Sequence, residues 1–426
     1  MSFLKNKRNH EPTWLSTMIF AISAIVLISC SDDDNGDSPS PSPNPGPIAE
    51  ESETGFLYSF RLETPQGRVY YMSAHPELPS QPDPSTALEL GFNNRIYING
   101  SSVFTWSGDA GAMTKWAVDR TTFEFDAVGL LSFATAGLSG DLTSIPVFVS
   151  ETQAFYTNIN EGIIVEWNPS TMEIIEVLNV DPNPLIPFVP EGFTRDGELY
   201  FRNGKLFIPI DYSEILSCCE VENTDGVMVG VFDTTSGTIE YLQDDRLYAG
   251  ANNFLVDENN NLYVVPENGF SIRRYYDVDP DTLPNPFTFL RFADDGTFDP
   301  NFELNVGELI PSEFIQGSFV FNNKLVVTYR DTEYEWPDNF DDRFSVVAAE
   351  SFSASIDLTT QEVQPFNGFE GFTFAQPWTI IDGINYFYAV RGENTEVSLL
   401  RQDSIDDYTE VSSISGGAFR RIGRLW

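Results

Sequence analysis

Histidine is almost missing from this chain. Of 426 residues only His10 and His75 are histidines. One or two histidines cannot build a multi-histidine metal centre, and they leave little room for a Ser-His-Asp arrangement. Cysteine is nearly as rare, with Cys30, Cys218 and Cys219. No cysteine framework or cysteine-based zinc site is therefore available. Beyond residue 29 lysine is confined to Lys115, Lys205 and Lys324. The formal net charge is −41. Residues 1–29 carry Lys5, Lys7, Arg8 and Glu11, a net +2, which leaves about −43 for the remainder. Such a charge excludes nucleic acid and an anionic bilayer as partners, though not a small anion met by a local basic patch. Long apolar runs are also lacking, apart from Ser16–Ile28, which is too short for a comfortable membrane span.

What is present is a repeat. The stretch from Gly317 to Phe366 reads as two apolar segments around an Asn322-Asn323 turn, then a strand, a Thr359-Thr360-Gln361 turn and a return strand. Asn tolerates positive φ and suits tight hairpins. Four short antiparallel strands make one propeller blade. Comparable two-residue turns precede strands at Asn93-Asn94, Glu151-Thr152, Asn203-Gly204, Asn259-Asn260 and Asp382-Gly383. Three residues into the following strands lie Tyr97, Phe155, Phe207, Tyr263, Val326 and Tyr386, spaced by about 52 to 63 residues. Five of the six are aromatic, as a position packed between blades requires.

An outer hairpin has its own signature, an apolar residue, any residue, Asp or Asn, then a Thr/Ser-rich turn. It occurs at Asp119, Asn168, Asp233 and Asp357, with looser copies at Tyr276-Asp277 and Arg401-Gln402-Asp403. A seventh is read at Tyr58 to Tyr71. Its inner strands are missing, while Gly416 to Trp426 is strand-like and lacks an outer hairpin. The expected fold is all-β, a seven-bladed β-propeller whose N- and C-terminal strands share the closing blade, removing exposed sheet edges. The alternative is a β-sandwich or a two-domain β protein.

The chain divides at composition shifts. Residues 1–29 read as an export signal, with a basic start and a short apolar core. Leu27-Ile28-Ser29-Cys30 resembles the lipobox of bacterial lipoproteins, in which the cysteine is lipidated. Ser31-Asp32-Asp33-Asp34 resembles the acidic surface-export signal of Bacteroidetes-type outer-membrane lipoproteins. Residues 30–54, with the alternating Ser and Pro of Ser38 to Pro47, form a semi-extended tether. Residues 55–426 are the propeller domain. The expected location is the outer membrane, lipid-anchored and cell-surface exposed, with membrane contact only through the anchor.

The chemistry is less legible. Among the 64 acidic residues no pair stands out by spacing as an acid and a base. Asp277, Asp279 and Asp281 copy the start of an EF-hand loop, but Thr282 and Thr288 stand where Gly and Glu are needed. Asp294-Asp295-Gly296-Thr297-Phe298-Asp299 is similar to a turn of some propeller repeats. Both runs read as acidic turns, and no metal or cofactor is assigned. The adjacent Cys218 and Cys219 either form a strained vicinal disulfide or stay two thiols. The arginine excess reads either as Arg–Asp pairs between blades or as a ring at the channel mouth for an anionic ligand. Trp106, Tyr248, Tyr329, Trp336 and Trp378 fall in expected loops, as blade-edge packing or as stacking platforms. Loops after Ile208 and Val327, each about 15 residues, are the longest, and such loops carry function. With the connections between blades they nominate Arg195, Tyr212, Arg246, Tyr248, Tyr329, Arg330, Trp336 and Arg343 as ligand-binding residues; no catalytic residue is nominated. His75, followed by Pro76, is placed in a loop.

Lipobox, acidic signal and propeller texture together resemble the surface lipoprotein propellers related to MxcI-like proteins, which accompany TonB-dependent siderophore receptors. The resemblance implies a non-enzymatic accessory in iron-siderophore uptake, with such a receptor and a small anionic or aromatic ligand as partners. A glycan-binding lipoprotein and a propeller hydrolase or lactonase are the alternatives. If the acidic signal acts as expected, protease added to intact cells degrades the protein, and changing Asp32, Asp33 and Asp34 to Ala protects it. Equal resistance of the two forms would exclude surface exposure.

Overall fold

Three of the two-residue turns that the sequence marks are tight left-handed turns in the backbone. The computed structural model describes residues 51–65, 67–91, 95–107, 111–136, 145–158, 162–180, 192–196, 198–215, 221–223, 227–247, 251–266, 288–310, 312, 315–329, 352–369, 371–372, 374–391, 396–404 and 406–426. In it Asn203-Gly204, Asn322-Asn323 and Asp382-Gly383 have φ values of 53° and 75°, 51° and 58°, and 53° and 75°. Two successive left-handed residues make the two-residue hairpin whose twist matches that of its strands. These turns join Tyr200–Arg202 to Lys205–Ile215, Ile315–Phe321 to Lys324–Tyr329, and Phe374–Ile381 to Ile384–Arg391.

The outer signature also has one physical cause. The side-chain oxygen Oδ1 accepts from two backbone N–H groups two and three residues ahead. It does so at Asp119 from Thr121 and Thr122, at Asn168 from Ser170 and Thr171, at Asp233 from Thr235 and Ser236, and at Asp357 from Thr359 and Thr360. In each case the residue four ahead, Phe123, Met172, Gly237 or Gln361, has φ between 59° and 69° and returns its N–H to the carbonyl of the Asp or Asn. The hydrogen bonds that the turn N–H groups give to Asp119, Asp233 and Asp357 hold those carboxyls below their ordinary range.

Seven antiparallel sheets result. Six follow the chain: a second blade from Arg95–Asn99 to Phe125–Ser132, a third from Val147–Phe148 to Glu173–Asn179, a fourth from Gly192–Asp196 to Thr238–Asp244, a fifth from Ala251–Val256 to Phe298–Asn305, a sixth from Ile315–Phe321 to Val363–Pro365, and a seventh from Phe374–Ile381 to Asp407–Ser415. The closing blade takes three strands from one end, Phe56–Thr64, Gly67–His75 and Leu88–Leu90, and Gly417–Arg424 from the other. Phe56 pairs with Arg424 and Leu62 with Gly417. The protein is thus an all-β, seven-bladed propeller closed by strands from both ends.

Several details differ from the sequence expectation. The hairpin from Tyr58 to Tyr71 is the middle of its blade, not the outer pair; Leu88–Leu90 forms the outer edge and one inner strand completes it. Tyr97 lies on the first strand of its blade, whereas Phe155, Phe207, Tyr263, Val326 and Tyr386 lie on the second. The equivalent of those five is Phe104, three residues past the Gly100-Ser101 turn and fully buried. In the fifth blade the outer turn is Ala293–Thr297, where Asp295 Oδ1 accepts from the Thr297 backbone N–H and hydroxyl; Tyr276-Asp277 lies outside the described residues. Trp106 and Trp378 sit within strands: Trp106 packs on Phe133, and Trp378 on Tyr388 and Phe419. His75 ends a strand, with Nε2 3.0 Å from Ser73 Oγ.

Both faces of each blade are covered by its neighbours, so side chains of either parity along a strand are buried. Apolar clusters run from blade to blade: Tyr58 and Phe419 meet Tyr386 and Leu399, Val103 meets Leu57 and Met72, Phe104 meets Trp167, and Phe207 meets Tyr263 and Phe292. Each such ring removed from water contributes about 1.5–3 kcal/mol. The closure has its own fastening. Trp426 stacks on Phe123 at 6.0 Å, lies under the Arg120 guanidinium at 5.1 Å, and donates from Nε1 to the Ser52 carbonyl at 3.1 Å. A Cβ on Gly55 would meet its ring at 2.5 Å, so glycine is needed there.

Removing residues 416–426 exposes two sheet edges and an apolar blade face, and the expected result is aggregation. Trp426→Ala keeps the strand and loses the plug; a loss of about 2–3 kcal/mol is expected in denaturant unfolding. A truncated protein that melts like the full chain would refute closure.

Candidate functional site

The first strands of the blades converge at the centre of the ring. There a cavity of about 430 Å³ opens between the closing, second, third and fourth blades. Its charged lining is Arg95, Glu198, Arg420 and Arg421, its polar lining includes Tyr97, and Ile98, Phe148 and Leu199 contribute apolar wall. A parallel bridge between Ile145 and Glu198, with the Leu199 N–H donating to the Ile145 carbonyl at 3.3 Å, ties the inner edges of the third and fourth blades together.

Two consecutive arginines reach this cavity because their strand is irregular. Ser59 pairs with Arg421 and Phe60 with Phe419, so Arg420 is an extra residue in a β-bulge. A regular strand would send Arg420 and Arg421 to opposite faces; a bulge re-aims one of them. Both line the cavity and both are exposed within it. The Arg420 guanidinium also lies 5.9 Å from the Tyr70 ring centre.

Tyr97 is the buried member, with 8% of its surface exposed. Burial pushes its phenol up to about 12, against the pull of Arg95 and Arg421, so it is a neutral donor at physiological pH. Its hydroxyl meets no partner in full hydrogen-bonding geometry; the neighbouring Arg95 guanidinium acts on it by charge and as a poorly aligned donor. A buried hydroxyl without a partner costs free energy unless something entering the cavity meets it. Glu198 is enclosed by protein on several sides, and that desolvation raises its carboxyl above the ordinary value while Arg421 opposes the rise. Its surface is nevertheless open to the cavity, so water in the channel offsets part of the effect. Three arginines against one carboxylate give a locally positive site in a chain of net charge −41.

Of the residues nominated from sequence, Arg246 and Tyr329 have described side chains, and neither is among the lining residues of this cavity. Arg246 is engaged structurally: it pairs with Asp244 at 2.7 Å and donates to the Asp299 and Phe302 carbonyls. Tyr329 ends a strand and packs on Phe352 at 5.8 Å. Tyr212 is in a strand and not in a loop, because Lys205–Ile215 continues past the blade and pairs with Gly192–Asp196 and Val221–Asn223. That pairing sets Arg195 opposite Asp211 and Thr194 opposite Tyr212, so Arg195 and Tyr212 come to adjacent rungs. Tyr248, Arg330, Trp336, Arg343, Cys30, Cys218 and Cys219 lie outside the described residues. Lys324–Tyr329 and Phe352–Asp357 pair directly, so the segment between them is longer than the expected 15 residues.

The arginine excess divides between both readings. Arg291–Asp299, Arg401–Asp403 and Arg391–Glu410 pair within their own blades, and Arg424–Asp382 joins two blades. Buried Arg202 crosses from the fourth blade to the fifth, donating to the carbonyls of Asn260 and Ala293. Arg95, Arg420 and Arg421 face the cavity. The Arg420-Arg421 doublet, which breaks the alternation of Ala418-Phe419-Arg420-Arg421-Ile422, is the signal that sequence reasoning passed over.

No family model matches the chain, and no curated protein matches it. Among solved structures it is similar to the periplasmic gluconolactonase of Pseudomonas aeruginosa (11% identity, 87% of this chain and 99% of that one, TM-score 0.48). It is similar to BamB from Moraxella catarrhalis (11% identity, 79% and 81%, TM-score 0.39). It is similar, too, to the β-propeller domain of the Trilobed protease from Pyrococcus furiosus (8% identity, 83% and 94%, TM-score 0.42). These likenesses concern the propeller fold alone.

Because Glu198 is held above its ordinary value, its ionised form is disfavoured in the folded state. The cost is absent below the ordinary value of 4.5, grows as pH rises from there to the folded value, and stays constant above it. Glu198→Gln is therefore expected to melt like the parent in acid and higher than it at neutral pH. A difference that stays flat or reverses across this titration would show that Glu198 is not desolvated.

Proposed function

We propose that the protein is a non-enzymatic binding propeller that holds a small anion in its central cavity. The observation that carries this is that Arg95, Arg420 and Arg421 line one cavity together with the buried Tyr97. Arginine forks bind carboxylate and phosphate groups in pairs of parallel hydrogen bonds, and a neutral phenol adds one more donor. The volume lies within the range of small-ligand sites. Among the described lining residues Glu198 is the one carboxylate, so a two-carboxylate hydrolysis has no second partner there.

The finer form of this reading is a surface lipoprotein that accompanies a TonB-dependent receptor and captures a ferric siderophore, many of which are anionic. Its support is the Leu27–Cys30 lipobox, Asp32–Asp34 and the Ser/Pro tether. Titration calorimetry with citrate, gluconate and a ferric tris-catecholate tests the site. At least one is expected to bind, and Arg95→Ala/Arg421→Ala to weaken it by about tenfold or more, since each charged hydrogen bond is worth roughly 1.5–3 kcal/mol. The melting temperature of the double variant is expected to hold, because both side chains are exposed. Unchanged affinity in the variant, or no binding by any of the three, would remove the cavity from this role. Binding of the catecholate alone would favour the siderophore reading.

A further inference from the structure

A second opening lies between the sixth and seventh blades, away from the central cavity, with a volume of about 340 Å³. Two buried polar atoms on its wall have no partner. Ser355, 3% exposed, sits on Phe352–Asp357 directly opposite Val326, and its Oγ makes no hydrogen bond. Asn385 donates from Nδ2 to Gln402 Oε1 at 2.7 Å, and its Oδ1 is left without a partner. Rotating the carboxamide by half a turn would exchange an orphaned acceptor for an orphaned donor, so one group is unsatisfied either way. Orphans of this kind are uncommon in folded proteins and call for an occupant.

The charged groups around the opening are already engaged. Lys324 Nζ donates to Gln364 at 3.3 Å, and Asp403 accepts from Arg401 and Thr409. The unmet demand is therefore neutral: a hydroxyl that wants a partner and an amide that wants one. The remaining wall is mixed, with Asn322, Gln402 and Ser404 beside an apolar part. Phe321 and Phe366 are half-buried in it, and Ile384, 39% exposed, stands at the rim. Water would satisfy Ser355 and Asn385 but would gain nothing from these three. A ring with hydroxyls on its edge and C–H groups on its face meets both demands.

We propose that this cleft binds one residue of a neutral carbohydrate, with sugar hydroxyls on Ser355 and Asn385 and the C–H face of the ring against Phe321, Phe366 and Ile384. This site is independent of the central one. The test is saturation-transfer NMR and calorimetry on the full chain with glucose, galactose, mannose and N-acetylglucosamine. At least one is expected to bind, with saturation strongest on the C–H protons of one ring face. Ser355→Ala and Ile384→Ala are each expected to weaken binding by roughly three- to tenfold, the worth of one hydrogen bond or one small apolar contact. Without sugar, Ser355→Ala is expected to melt no lower than the parent, because it deletes a buried hydroxyl that has no partner. Arg95→Ala/Arg421→Ala is expected to bind the sugar normally, which separates this site from the anion site. Failure of all four sugars, or equal affinity in both cleft variants, would overturn the proposal. A clear drop in stability of sugar-free Ser355→Ala would also overturn it, since it would show that structural water fills the cleft.

Discussion

The pairing of Phe56–Leu62 with Gly417–Arg424 is the constraint on which the remaining architecture depends. Each blade buries its faces only against its neighbours, so an open ring would leave two apolar faces and two sheet edges in water. Closing with one strand from the far end satisfies both at once and links residues more than 350 positions apart. The buried Tyr58 hydroxyl lies 2.7 Å from Ser412 Oγ on the seventh blade, and Trp426 covers the seam on the other side by stacking on Phe123 of the second. Unlike the turns, this contact has no local source of stability. It forms only when the other six blades have brought the two ends together.

The same strand that closes the ring also shapes the central site. A perfectly regular Gly417–Arg424 would bury one of Arg420 and Arg421 against a neighbouring blade or expose it away from the cavity. The bulge opposite Ser59 and Phe60 accommodates both in the channel. Structural closure and ligand chemistry therefore meet on one irregularity. The acidic excess of the chain sharpens the contrast, because a small anion would reach this positive cavity only after passing the opposing field of a strongly negative protein. Ionic strength lessens that barrier more than it lessens hydrogen bonds made inside the cavity.

Local chemistry was readable wherever a residue type has one conformational reason to be present. Asn322-Asn323 and Asn203-Gly204 announce left-handed turns, and Asp119, Asp233 and Asp357 announce side-chain-capped ones, because few other residues do either at low cost. Register was less readable. Asn93-Asn94 resembled an inner turn, and Tyr97 was aligned with the interblade aromatics; the true counterpart, Phe104, follows a Gly-Ser pair that carries a weaker signal. The segment after Ile208, which holds Tyr212, reads as a long loop in sequence, yet Lys205–Ile215 is a strand held by partners on both sides. Pairing partners, and not the segment's own propensity, set its length.

The sequence by itself determined the class, the blade repeat, several of the turn positions and the exchange of strands between the two ends. Each of these follows from short-range periodicity and from the conformational preferences of single residues. Only the tertiary structure decided which side chains share the central cavity. Arg95, Tyr97, Glu198 and the Arg420-Arg421 pair come from three separate blades, and nothing in their spacing along the chain links them. Their meeting depends on a bulge whose place is set by long-range hydrogen-bond register, which leaves no mark in the local pattern of residues.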